Sequence, residues 1–245
     1  PEPGAAAPGS AEAVPEAKQT TPEAKAVMAK VVDALGGEAK VGAVKAIHES
    51  ATNTVNTPQG EMQIKVSRTV VYPDRNHSVV NTPMGEMTMV YTPTAAFMTA
   101  GGRTQDMPAS RRAEGLNNVK RDLLNLAQHV NDPKYAFVLG PNEKAGSVDA
   151  TVVDVNADGA SLRLYVDPKS GRVLRESFSS TGPSGPAQMM TDFSDWQTVD
   201  GITLPMQRTT TANGQKLSSE KIESIQINPA VDPKMFEKTA AAPAS

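Results

Sequence analysis

Residues 56–62 read NTPQGEM and residues 81–87 read NTPMGEM. Six of the seven positions match, and the copies start 25 residues apart, at Asn56 and Asn81. A repeated ligand loop and a repeated turn are the two ways to explain the echo. Turn chemistry accounts for both its Pro and its Gly. Pro pre-sets φ for the second position of a turn, and Gly supplies the positive φ near its end. Each T-P-x-G also sits where one long strand must reverse into the next. The repeat therefore reads as a meander using the same hairpin twice.

Working outward, the hydrophobic period is two on both sides of the first copy. Met62, Ile64 and Val66 alternate with Gln63, Lys65 and Ser67, giving one apolar and one wet face. Strands are predicted at about 46–57, 60–72, 75–82, 85–92 and 94–99. After an interruption they resume at about 134–140, 147–156, 160–167, 171–181, 187–198, 202–212 and 215–228. Their turns are NADG at 156–159, DPKSG at 167–171, VDG at 199–201 and NG at 213–214. All connections are local, and no helical crossovers are available for a parallel sheet. The fold class is mainly β (α+β), with about 11–12 antiparallel strands in one strongly curved half-barrel.

Two helical segments complete it. Thr21-Pro22-Glu23 is a helix start with a capping Thr, Pro at the first position and an acid in the first turn. Val27, Val31, Val32 and Leu35 follow at helical spacing, Gly36-Gly37 ends the run, and 38–45 reads as a second short helix. Residues 108–130 carry a stripe of Leu116, Val119, Leu123, Leu126 and Val130 with polar residues opposite. This segment is predicted to be one amphipathic helix, a lid against the sheet. Residues 1–20 are Pro/Ala/Glu-rich and read as a linker or processed tail, as do 239–245, leaving 21–238 as a single domain.

Composition removes several function classes. Net charge is −3, so there is no basic footprint for nucleic acid. With 0 Cys, neither disulfide nor thiol chemistry is available. No apolar run approaches the roughly 18 residues of a membrane span. His48, His77 and His129 lie far apart, outside any ligand pattern, so no metal site or cofactor is expected. There is no G-x-S-x-G elbow, and SSTGPSGP at 179–186 lies between strands, as a hairpin loop rather than a phosphate cradle. Asp192, Asp195 and Asp200 read as strand and turn residues rather than an acid–base pair. No catalytic residue is expected.

The stretches TDFSDWQTVDGITLPMQRTTTANGQ (191–215), LYVDPKSGRVLRESF (164–178) and VVDALGGEAKVGAVKAIHESAT (31–52) resemble bacterial envelope proteins of the lipoprotein-carrier type. FMTAGGRTQDMPASRRAEGLNNVKRDLL (97–124) is similar to a non-catalytic C-terminal module of some insulinase-like (pitrilysin) zinc peptidases, although H-x-x-E-H is absent. Together the likeness spans about 25–238. It implies a half-barrel of about eleven strands closed by helices, in the periplasm or otherwise at the envelope, whose concave face holds lipid or acyl chains. The insulinase-like likeness implies instead an interaction module docking on an envelope protein partner.

Such carriers line their cavities with aromatics, whereas this chain has 1 Trp, 4 Tyr and 5 Phe. Its abundant adaptable residue is Met, with 11 copies, nine of them between Met62 and Met206. The predicted apolar liners are Met62, Ile64, Val66, Met87, Met89, Phe97, Leu123, Leu126 and Phe193. A sheet curved around these faces makes either a filled core or an apolar cavity.

Overall fold

The computed structural model of the protein describes residues 17, 19–182 and 185–238. Most of the expected linker, the tail 239–245 and residues 183–184 of the Ser/Gly/Pro-rich loop lie outside the described residues. Thr20, assigned to the linker by composition, is bonded instead: its hydroxyl donates to the Tyr135 carbonyl and accepts from the Phe137 amide.

The elements are α1 (Pro22–Leu35), α2 (Glu38–Ala43), β1 (Ala46–Thr57), β2 (Gly60–Val71), β3 (Arg75–Thr82), β4 (Gly85–Tyr91), β5 (Ala96–Ala100), β6 (Arg103–Asp106), α3 (Ala109–Arg121) and α4 (Leu123–Gln128). Then come β7 (Tyr135–Leu139), β8 (Glu143–Ala145), β9 (Val148–Ala157), β10 (Ala160–Val166), β11 (Val173–Gly182), β12 (Gly185–Val199), β13 (Ile202–Ala212), β14 (Gln215–Ile227) and a 3-10 turn at Pro233–Phe236. Among the described residues there is one 14-stranded antiparallel sheet, ordered β6-β5-β4-β3-β2-β1-β14-β13-β12-β11-β10-β9-β7, with β8 beside β9. β6 and β7 do not pair, so the sheet is open. It is also curled, because α3 touches both β3–β5 and β9–β10, which lie far apart in that order. Register shifts at Ser50/Ala51, Tyr165/Val166 and Thr210/Thr211 bend the strands locally.

Both T-P-x-G copies are hairpin turns of the same construction. Thr57 and Thr82 donate to the carbonyls of Gly60 and Gly85 at 2.7 and 3.0 Å, and the two glycines have φ of 117° and 121°.

Two short strands, β6 and β8, add to the expected dozen; at four and three residues they show no alternation to read. The expected single helix 108–130 is two helices. Asp122 between them has extended backbone (φ −56°, ψ 137°), and its carboxylate accepts from the Leu124 and Asn125 amides, so it caps α4.

Helices α1, α2 and α4 plug one end of the concave face. Met28, Val31, Leu35, Leu124 and Leu126 pack there against Phe137, Val153, Val155, Leu162, Leu164 and Ile202. Gly36 fixes the plug in place: a side chain there would collide with the Gly201 carbonyl of the β12–β13 turn. Similarly, α3 lies so close to β4 that a Cβ at Gly115 would strike the Tyr91 ring. A smaller outer-face cluster holds Val90, Phe97 and Phe236.

Candidate functional site

Register determines which side chains face inward. Directly paired residues share a face, and Ile47 belongs to the plugged core. Along β1 the inward set is therefore Ile47, Glu49, Ala51, Asn53 and Val55. Their partners on β2 are Val70, Arg68, Val66, Ile64 and Met62. Val66 pairs with Val80, and Val80 with Met87; Arg68 pairs with Ser78, and Ser78 with Met89. Met62, Ile64, Val66, Met87 and Met89 thus form one inward strip beyond the helical plug, and all five are half-buried.

The other four expected liners divide. Leu123 and Phe193 line a cavity of about 340 Å³ beneath α3 and the α3–α4 junction. Leu126 is fully buried in the plug (0% exposed) and faces no open space. Phe97 is on the wrong side: it pairs with Val90, which pairs with His77 on the outward face, and it packs under Phe236.

The cavity wall corrects the expectation of a purely apolar lining. It holds Glu49, Arg68, Arg121, Asp122, Glu176, Arg208 and Glu220 beside Leu123, Phe178 and Phe193. Four of these charges form a closed network. Arg208 contacts Glu49 at 2.7 Å and Glu220 at 3.2 Å; Arg68 contacts each of the same carboxylates at 3.1 Å. Glu49 is only 2% exposed. Burial disfavours its charge, but Arg208 and Arg68 more than reverse that and bring its carboxyl down to about 2.

At the helix junction, Asp122 accepts the Tyr72 hydroxyl at 2.7 Å. Burial raises the pKa of both groups, and for Tyr72 the neighbouring carboxylate raises it further. Arg121 donates to Glu114 at 3.1 Å and stacks over Phe178, 4.1 Å from the ring centroid. Glu176 differs from the rest: it has no hydrogen bond or ion pair among the described residues. Burial pushes its carboxyl up to about 7, against the pull of Arg121 and Arg208 and with a further push from Asp122.

The remaining polar candidates have structural partners. Asp192 pairs with Arg175 at 2.6 Å. Asp195 and Asp200 take positive φ, at a strand irregularity and a turn. His48 bonds Thr69, His77 meets Phe236 edge-on, and His129 closes α4 while stacked on Tyr135. Among the described residues no group of three or more His, Cys, Asp or Glu is placed to hold a metal, and no helix is long and apolar enough to cross a membrane.

The architecture, an open antiparallel half-barrel, is similar to that of three solved structures. A LolA superfamily protein from Nitrosomonas europaea superposes with a TM-score of 0.59 at 12% identity, over 88% of this chain and 97% of its own. A DUF1329 family protein from Desulfovibrio piger gives 0.58 at 11%, over 91% and 100%. A domain described as that of an outer membrane lipoprotein-sorting protein, from Vibrio parahaemolyticus, gives 0.55 at 11%, over 87% and 96%. At such identities the shared property is the fold. No protein-family model matches the sequence, and no curated protein matches it. None of the three is described as an insulinase-like peptidase, so they do not show the resemblance of residues 97–124 to such a module.

Proposed function

We propose that this protein is a non-catalytic binding module of the bacterial envelope that holds an acyl chain or similar apolar group along its concave face. One observation carries the reading. The half-barrel buries its inward apolar side chains under helices at one end, yet leaves the strip of Met62, Ile64, Val66, Met87 and Met89 half-exposed at the other. That strip shares its face with the cavity under α3. Methionine suits a surface that must adapt to flexible chains. Covering about 200 Å² of such surface is worth about 5 kcal/mol before the costs of association. The lipoprotein-sorting description of the Vibrio domain supports the same class of ligand and the same compartment.

A second reading, an interaction module docking on an envelope protein, is favoured by Met84. It stands 95% exposed at the tip of the β3–β4 hairpin. The test is titration with a fluorescent fatty-acid probe, using wild type, Val66→Glu, Met87→Glu and Met84→Ser. The carrier reading expects binding that both inward variants weaken at least tenfold while Met84→Ser leaves it unchanged. A wild type that ignores the probe removes that reading and leaves the docking module.

A further inference from the structure

The charges in the cavity wall point to the ligand's polar end. Seven ionisable residues line the cavity: the acids Glu49, Asp122, Glu176 and Glu220, and the guanidiniums Arg68, Arg121 and Arg208. Every guanidinium already has a carboxylate. Arg68 and Arg208 share Glu49 and Glu220, and Arg121 holds Glu114. Asp122 receives the Tyr72 hydroxyl and two backbone amides. Of the seven, Glu176 alone is left without a donor among the described residues, next to open space. An incoming anion would have to displace a carboxylate from an arginine it contacts at 2.7–3.2 Å, or reach the Nε atoms of Arg68 and Arg121, which lack an acceptor but are buried. An incoming cation needs no displacement. It also meets the Phe193 ring, a cavity liner that no cation among the described residues covers.

We propose that the cavity takes the cationic head of an amphipathic ligand, an alkylammonium group, with Glu176 as counter-ion and Phe193 as its aromatic neighbour. This rests on the reading that the methionine strip holds the ligand's chain. The head would sit under α3 and the tail would run out along β2 to β4. Ionised Glu176 is the binding form, so affinity depends on pH. The other charges facing Glu176 are Arg121 and Asp122 from the helix junction and Arg208 from β13. Burial holds the Glu176 carboxyl up at about 7, whereas Arg208 and Arg68 hold Glu49 down at about 2, and burial also raises Asp122.

The experiment is calorimetric titration below the micelle threshold with three probes sharing one chain. These are dodecyltrimethylammonium, permanently cationic; dodecyldimethylamine oxide, net neutral near neutral pH; and dodecanoate. At about pH 8 the wild type should bind the ammonium at least about tenfold more tightly than the amine oxide, the size of one well-placed ionic contact. From about pH 8 to about pH 6 that advantage should shrink about fivefold or more, because the ionised fraction of Glu176 falls about tenfold and the protonated form shows no preference. Glu176→Gln, isosteric with the protonated form, should show no preference for the ammonium over the amine oxide and no pH dependence. The wild-type pH profile is informative even without the variant. Equal binding of all three probes leaves the carrier reading intact and overturns this inference, as does a preference for dodecanoate or one that survives in Glu176→Gln. If none of the three binds, the carrier reading fails and this inference falls with it.

Discussion

Replacing Glu176 with Gln should stabilise the protein at mildly alkaline pH and have little effect at mildly acidic pH. The reason is the mismatch between the cavity wall and an unpaired carboxylate. Burial raises the Glu176 carboxyl from an ordinary 4.5 to about 7. A carboxyl raised in the folded state binds its proton more tightly there than in the unfolded chain. Its contribution to stability is therefore fully present below about pH 4.5 and is lost as pH rises through about 7. The full difference, at about 1.4 kcal/mol per pH unit, is about 3 kcal/mol. Glu176 is not fully buried, and solvent screening reduces this, so we expect about 2 kcal/mol. Gln makes no such change. Urea unfolding of both proteins at about pH 5 and about pH 8 measures the effect as a shift in midpoint at constant slope. The variant's advantage should grow by about 2 kcal/mol between the two conditions. A constant difference at both pH values would show that Glu176 is solvated or paired in solution, and the reasoning about the cavity charge would fail.

Other outcomes follow from the same structure. Arg208→Met should cost about 3–5 kcal/mol by stranding buried Glu49, and Glu49→Gln in the same chain should restore much of that, measured by urea unfolding. Gly60→Val and Gly85→Val should each cost about 1 kcal/mol or more through their positive φ, with probe binding unchanged in the folded protein; selective loss of binding would make the repeat a ligand loop after all. Leu126→Glu should unfold the protein because it puts a charge into a dry plug, whereas Leu123→Glu, at the cavity wall, should stay folded and change probe affinity, as read by circular dichroism with titration.

The fold was legible because antiparallel sheets write themselves locally. Thr-Pro-x-Gly, Asn-Gly and Asp-Gly mark the reversals, and two-residue turns preserve parity from strand to strand. That is why Met62, Ile64, Val66, Met87 and Met89 could be placed together. Phe97 was misplaced because the connection at residues 92–95 sets the parity of β5, and nothing in Thr92-Pro93-Thr94-Ala95 reveals it. The helix break at Asp122 was hidden because the apolar stripe continues across it. What breaks the helix is a side-chain cap and a distant tyrosine, Tyr72.

The charged wall left a trace that alternation alone could have exposed. In β2, Arg68 occupies an inward slot between Val66 and Val70. In β1, Glu49 falls between Ile47 and Ala51, and in β13, Arg208 continues the series Leu204, Met206. A single charge in an inward slot carries little information. Opposite charges in the inward slots of neighbouring strands mark a buried network. Glu176 could not have been singled out, because its lack of a partner is a property of the assembled cavity.

The carrier reading places the ligand on a particular surface, and that placement can be measured. A fatty-acid probe with a photoreactive diazirine in its chain, irradiated on the protein and mapped by peptide mass spectrometry, reports which side chains it touches. The expected labels fall on the inward residues of β2 and β4, chiefly Met62, Ile64, Val66, Met87 and Met89, with Phe193 of β12 near the buried end. They should disappear under competition by unlabelled fatty acid. Labelling centred on the outer face around Val90, Phe97 and Phe236, or none that competes, would contradict the account.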